Sequence, residues 1–192
     1  MSKYLITGLG NIGLEYENTR HNIGFNIADA FVQKYGGIFQ TGRFATIAEV
    51  KWKGKIFIII KPTTFMNLSG KAFSFWLHKE KIKLENSLTI VDDLALPLSK
   101  LRLRPSGSDA GHNGLKDIQF YMQTGAYPKL RFGIGNNYPK GRQADFVLSK
   151  WLPPEVPIVE KKIETSIKVI EDFAVMGIEH TMNWVNKLNF ME

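Results

Sequence analysis

The sequence predicts one α/β domain whose largely parallel or mixed sheet is covered by helices. Three observations carry that expectation. Short apolar runs of strand length alternate with longer stretches in which apolar residues recur every three or four positions. Glycine, proline or asparagine punctuates these runs. The chain has 192 residues, 44% of them hydrophobic, enough for one substantial core. No linker or internal repeat divides it, so residues 1–192 read as a single domain.

The elements follow in order. Residues 3–9 form an apolar run that breaks at Gly8, Gly10 and Asn11, a buried strand entering a loop. From Asn22 onward Ile23, Ile27, Ala30 and Phe31 recur at helical spacing, and Gly36 and Gly37 stop the pattern. Residues 46–52 and 55–61 flank Lys53-Gly54 and read as a hairpin, with Pro62 ending its second strand. Ala72, Phe73, Trp76 and Leu77 mark the next helix. Residues 88–91 are a β-branched strand that delivers Asp92 and Asp93 to its carboxyl end. Residues 98–104 alternate, which puts Lys100, Arg102 and Arg104 on one face. A short helix carries Leu115, Ile118 and Met122, and residues 130–134 form the last strand. Val156, Val159, Ile163, Ile167, Ile170 and Ala174 define a long amphipathic helix, followed by a second with Ile178, Met182 and Val185. In such a fold the working loops lie at the carboxyl ends of the strands.

Charge and composition narrow the function. With 25 Lys+Arg against 18 Asp+Glu the net charge is +7, which favours a polyanionic partner, nucleic acid or an anionic surface. The absence of cysteine excludes disulfides, thiolate nucleophiles and cysteine zinc sites together. The longest apolar run, residues 56–60, is far short of the roughly 20 residues of a membrane helix. The opening MSKYLITGLG lacks the pattern of a secretory signal. The expectation is a cytoplasmic protein with no membrane partner.

Gly8, Gly10 and Gly13 spell G-x-G-x-x-G after a strand, as in a dinucleotide site. The acidic residue such a site needs is missing from its place, because Asp29 falls inside the helical pattern. The helix also starts after Arg20, too far on for a pyrophosphate to rest on its first turn. The same loop gathers Asn11, Tyr16, Arg20, His21 and Asn22. One reading makes these a turn and a helix entry capped by Asn22. The other brings His21 against Asp92 across adjacent strands, where a carboxylate on Nδ1 leaves Nε2 as a base. Asp92 and Asp93 read alone as a polar strand end or a magnesium site. No serine, threonine or cysteine stands in a nucleophile motif, so such a base would activate water.

Phe65, Met66 and Asn67 lie in KPTTFMNLSGKA, and His112 and Asn113 in GHNGLKD. Read locally, Phe65 and Met66 cover the core, Asn67 or Ser69 caps a helix, and Asn113 caps another with His112 beside it. Read together, Asn11, Asn67 and Asn113 line a cleft with amides that suit a peptide backbone. Arg102 and Arg104, with Arg131 in RFGIG, suit phosphates or are solvated surface charge. His78 and His180 read as surface residues.

The segments GLGNIGLEYENTRHNIG, KPTTFMNLSGKA, VDDLALP, GHNGLKDI and RFGIG, in this order, resemble the bacterial peptidyl-tRNA hydrolases. The resemblance implies one α/β domain with a mixed, twisted sheet. It implies His21 as general base, Asp92 as the residue that holds it, and Asn11 as the group that separates blocked from free aminoacyl-tRNA. Tyr16, Phe65, Asn67 and Asn113 match positions at the tRNA end or its peptide, with Met66 in the cleft wall; His112, next to Asn113, is expected among the substrate-binding residues. Arg102, Arg104 and Arg131 match positions for tRNA phosphates. The implied partner is peptidyl-tRNA, without metal, cofactor or obligate protein partner, and the expected state is a monomer. Ile12, Val91 and Ala95 depart from the usual proline, histidine and acidic residue; none of the three removes a catalytic group, and Ile12 is the one that falls in the loop carrying Asn11. Chloroplast intron-splicing factors, which are RNA-binding modules, resemble the same family and form the alternative.

Overall fold

The computed structural model describes residues 1–191. Strands β1 (Ser2–Gly8), β3 (Ala45–Trp52), β4 (Lys55–Pro62), β5 (Ser87–Asp93), β6 (Leu101–Arg104) and β7 (Lys129–Gly133) join the two-residue β2 (Gln40–Thr41) in one seven-stranded sheet. The order is β2-β3-β4-β1-β5-β7-β6. β1 runs parallel to β4 and β5, and β5 parallel to β7. The outer pairs β2–β3, β3–β4 and β6–β7 are antiparallel, so the sheet is mixed.

Helices cover both faces, which is why the central strands read as continuous apolar runs. One core joins Ile6, Phe57, Ile59 and Ile90 to α1 (Ile23–Lys34) and α5 (Val156–Met176). The other joins Leu5, Ile58, Ile60 and Val91 to α2 (Ser69–Lys79) and α3 (Asn113–Met122). Neighbours along β1 and β4 thus fall in opposite cores, as the period of two requires. Lys53 and Gly54 both take positive φ (47° and 72°), which matches a two-residue hairpin turn to the twist of β3 and β4.

The structure corrects the sequence reading at several edges. β5 extends through Asp92 and Asp93, two residues past the run read from the sequence, and both are buried. Only residues 101–104 pair as a strand, and Lys100 lies in the turn before it, where its Nζ donates to Leu188 O at 3.0 Å. Lys100 therefore does not share the face of Arg102 and Arg104. β2 and α4 (Gln143–Val147) were not expected, being too short for periodicity to show. The last helix is α6 (Ile178–Val185), and Asn186 just beyond it seals the free edge of β6. Its amide donates to Leu103 O and accepts from Leu103 N, as a further strand would.

The parallel strands β1, β4, β5 and β7 all end at the same edge of the sheet, so their loops converge there. Packing at this edge is close. A Cβ on Gly24 would lie 2.4 Å from Leu9 N and 2.6 Å from Ile90 O, so the first turn of α1 sits directly on the ends of β1 and β5. Gly8 faces Gly24 from the other side, which accounts for the first glycine of the G-x-G-x-x-G run without a dinucleotide.

Candidate active site

His21 lies in a 3-10 turn (Arg20–Asn22) at the far end of the loop after β1, just before α1, while Asp92 stands near the end of β5, the strand beside β1. His21 Nδ1 lies 2.9 and 2.8 Å from the two carboxylate oxygens of Asp92. His112 Nε2 lies 2.9 Å from Asp92 Oδ1, and the two imidazole centroids are 5.0 Å apart. The side chains of His21, Asp92 and His112 are 14%, 3% and 9% exposed.

The hydrogen bonds fix the tautomers. His112 is the N-cap of α3, where its Nδ1 accepts from Gly114 N at 3.1 Å and more weakly from Leu115 N at 3.4 Å. Nδ1 accepts, so in the neutral ring the proton sits on Nε2, which donates to Asp92. Nδ1 of His21 likewise donates to Asp92, and its Nε2 has no partner among the described residues. One buried carboxylate thus holds two imidazoles in different tautomers, and only the Nε2 of His21 is left with a free lone pair.

Burial disfavours the imidazolium of His21, but the charge of Asp92 and its hydrogen bonds outweigh this, so His21 titrates above the ordinary histidine value. Burial alone would push the carboxyl of Asp92 up. The two imidazoles reverse that and hold it well below the usual carboxylate range. His21 Nδ1, Asp92 and His112 Nε2 lie within 4.8 Å of one another, a donor set that suits a metal such as zinc. In the observed arrangement both nitrogens carry protons directed at Asp92, so a metal would have to displace them and the cap of α3.

These residues open onto a cavity of about 570 Å³, whose lining includes Asn113, Arg131, Asn136 and the α4 residues Gln143, Ala144 and Val147. Asn11 lies on the other side of the turn, beside a smaller cavity of about 200 Å³. Its Oδ1 accepts from Met66 N at 2.7 Å, which leaves Nδ2 as a donor without a partner among the described residues. Asn22 does not cap α1. Its side chain accepts from Asn11 N at 2.8 Å and donates to Asn11 O at 2.9 Å. Three hydrogen bonds therefore hold Asn11, and none of them involves Ile12.

The other expected residues are dispersed. Met66 is buried in the core beside Gly114, while Phe65 and Asn67 are exposed on the loop after β4. Ser69 does not cap α2 but donates to Met66 O, and Asn113 follows the cap that His112 supplies. Tyr16 is half-buried in its own 3-10 turn and lines neither cavity. Arg102 pairs with Arg131 across β6 and β7, and Arg104 with Lys129, so these cations share one face. Arg102 and Arg104 are exposed, whereas Arg131 is buried, donating to Ser108 O and lying 3.6 Å from Asp93. His78 and His180 are exposed.

The sequence model of the peptidyl-tRNA hydrolases matches residues 5–192. A peptidyl-tRNA hydrolase of Parabacteroides distasonis is 51% identical over 184 residues, 96% of this chain and 98% of that protein. One of Phocaeicola vulgatus is 51% identical over 185 residues, 96% of this chain and 99% of the other. The crystal structure of peptidyl-tRNA hydrolase from Acinetobacter baumannii superposes with a TM-score of 0.92 at 29% identity, covering 97% and 96% of the two chains.

Proposed function

Because the chain belongs to the peptidyl-tRNA hydrolase family, we propose that the site built on His21 and Asp92 is where it hydrolyses the ester between a peptide and its tRNA. The observation that carries this reading is the free Nε2 of His21, set in a cavity by a carboxylate that already occupies Nδ1. Nε2 takes a proton from water as the water oxygen bonds to the ester carbonyl carbon. The tetrahedral intermediate then expels the ribose oxygen, which recovers the proton, and free tRNA and peptide leave. Asp92 keeps His21 in the reactive tautomer, and His112 gives Asp92 a second donor. The same contacts count against the alternative of a non-catalytic RNA-binding module, which has no need of a base held in one tautomer.

Asn11 distinguishes a blocked from a free amino group. Its Nδ2 is a donor, so it pairs with the carbonyl of a peptide or acyl group and cannot pair with an ammonium. The exposed Arg102 and Arg104 contact tRNA phosphates, with Arg131 at the inner end of that face. Asn113 in the cavity lining, and Tyr16, Phe65 and Asn67 on the loops around it, contribute contacts to the tRNA end or its peptide, while Met66 supports that wall from the core. We read the protein as a cytoplasmic monomer, placed where its substrate arises. Among the described residues no helix is long and apolar enough to cross a membrane.

A release assay with an N-blocked aminoacyl-tRNA and its free counterpart tests the reading, with cleavage of the blocked substrate alone as the expected result. Asn11→Ala is expected to shrink the ratio of the two kcat/KM values, and a ratio equal to wild type would make Asn11 a turn residue only. The pH profile tests Asp92. Since the base works neutral, kcat/KM should rise with pH through an acid limb above the ordinary histidine value of 6.5. In Asp92→Asn the charge that favours imidazolium is gone while burial remains, so the limb moves to lower pH. The plateau also falls, by less than in a variant without the imidazole. A limb that stays in place would dissociate Asp92 from His21.

A further inference from the structure

We propose that Arg20 is a positioning residue for this reaction, fixing the wall of the cavity that faces His21. The inference rests on the site assigned to His21 above.

Arg20 immediately precedes His21 and is only 3% exposed. All the polar contacts of its side chain reach a single stretch of chain, residues 146–155, which runs from the last turn of α4 to the start of α5. Nη1 and Nη2 donate to the two carboxylate oxygens of Glu155, each at 2.9 Å, and Nε donates to Ser149 Oγ at 3.0 Å. The guanidinium carbon lies 4.3 Å from the ring centre of Phe146 and 4.9 Å from that of Trp151. The backbone N–H of Arg20 donates to Ser149 O at 3.0 Å, and Thr19 bridges Lys150. Glu155 in turn accepts from Leu152 N, and Ser149 Oγ donates to Phe146 O, so the stretch is tied to itself as well as to Arg20.

The reason this matters is α4. It has five residues, none fully buried, and only Phe146 and Val147 pack against the core, so its own burial holds it weakly. Yet Gln143, Ala144 and Val147 form the cavity wall that faces His21. A planar fork with two parallel hydrogen bonds and an aromatic neighbour fixes both distance and angle, which a lysine in the same place does not. One side chain therefore ties the turn of the base to the segment that carries this wall, from a residue outside the cavity lining.

Arg20→Lys and Glu155→Gln loosen the clamp from its two ends and leave His21, Asp92 and the lining of the cavity unchanged. In both, hydrogen exchange of the amides in residues 143–150 should speed up while those of β1 and β5 keep their protection. For peptidyl-tRNA, kcat/KM should fall by about 10- to 100-fold, the range for a displaced site residue, mainly through KM. The acid limb of the pH profile should stay where it is, because the Asp92–His21 pair is untouched. Unchanged exchange in residues 143–150 overturns the proposal. So does a fall in kcat with a displaced acid limb, which would place the effect at His21 itself, or a loss of protection throughout β1 and β5, which would make the clamp a general anchor of the fold. Exchange is measured without substrate, so it stands even if the reading of His21 as the base were to fail.

Discussion

Replacing His21 with alanine is expected to lower kcat/KM for peptidyl-tRNA by about 100-fold or more, the usual contribution of a general base. The loss should be this large because no other imidazole can take over. His112 lines the same cavity, but its Nδ1 accepts from the first amides of α3 and its Nε2 donates to Asp92, so it has no lone pair to offer. Turning that ring to free a nitrogen would strip the N-cap from α3, at about 1 kcal/mol by the usual cost of a lost cap, and leave Asp92 short of a donor. Binding of tRNA, followed by anisotropy of a labelled tRNA, should stay near wild type, since the phosphate contacts are assigned to β6 and β7. Activity within about tenfold of wild type would mean that another group is the base.

Gly24→Ala is expected to be among the most damaging single-methyl changes at the site. In a helix alanine is favoured over glycine by about 1 kcal/mol, and at an exposed position the substitution would stabilise the protein. Here the added carbon would stand 2.4 Å from Leu9 N and 2.6 Å from both Ile90 O and Leu9 O, all backbone atoms in the core of the sheet. No rotamer relieves such contacts, so α1 must move off the ends of β1 and β5, at a cost of about 3 kcal/mol or more. The clash outweighs the propensity. For a chain of this size that lowers the melting midpoint by roughly 6–12 °C. The helix carries the turn of His21, and Ile90 is two residues before Asp92. Any folded fraction should therefore have a longer His21–Asp92 contact and reduced activity. A midpoint at or above that of wild type would show that the helix can shift without loss.

Much of the site was legible before the fold. The strand runs, the breaks after Leu9, Pro62 and Asp93, and the polar residues at those breaks follow from local pattern, and His21 with Asp92 was the pairing expected of them. The misreadings share a cause. Asn22 and Ser69 have the composition of helix caps, but each has a nearer acceptor or donor once the chain is folded, Asn11 for one and Met66 O for the other. Asn113 loses the cap position to His112 because Asp92 holds that ring against the start of α3. Lys100 follows the alternation of β6 in sequence, yet the turn that positions β6 takes it out of the strand.

The sequence by itself determined an α/β chain with strands buried on both faces, a basic balance, no thiol chemistry, and histidine, carboxylate and amide groups at strand ends. These depend on periodicity and composition, which act within a few residues. What only the tertiary structure decided is which of these groups share atoms. His21 and Asp92 are 71 positions apart and meet because β1 pairs with β5. Arg20 and Glu155 are 135 apart and meet because α5 begins beside the turn of His21. Strand order sets such meetings, and periodicity carries no information about strand order. The tautomers of the two histidines, on which the proposed choice of base rests, follow from those contacts alone.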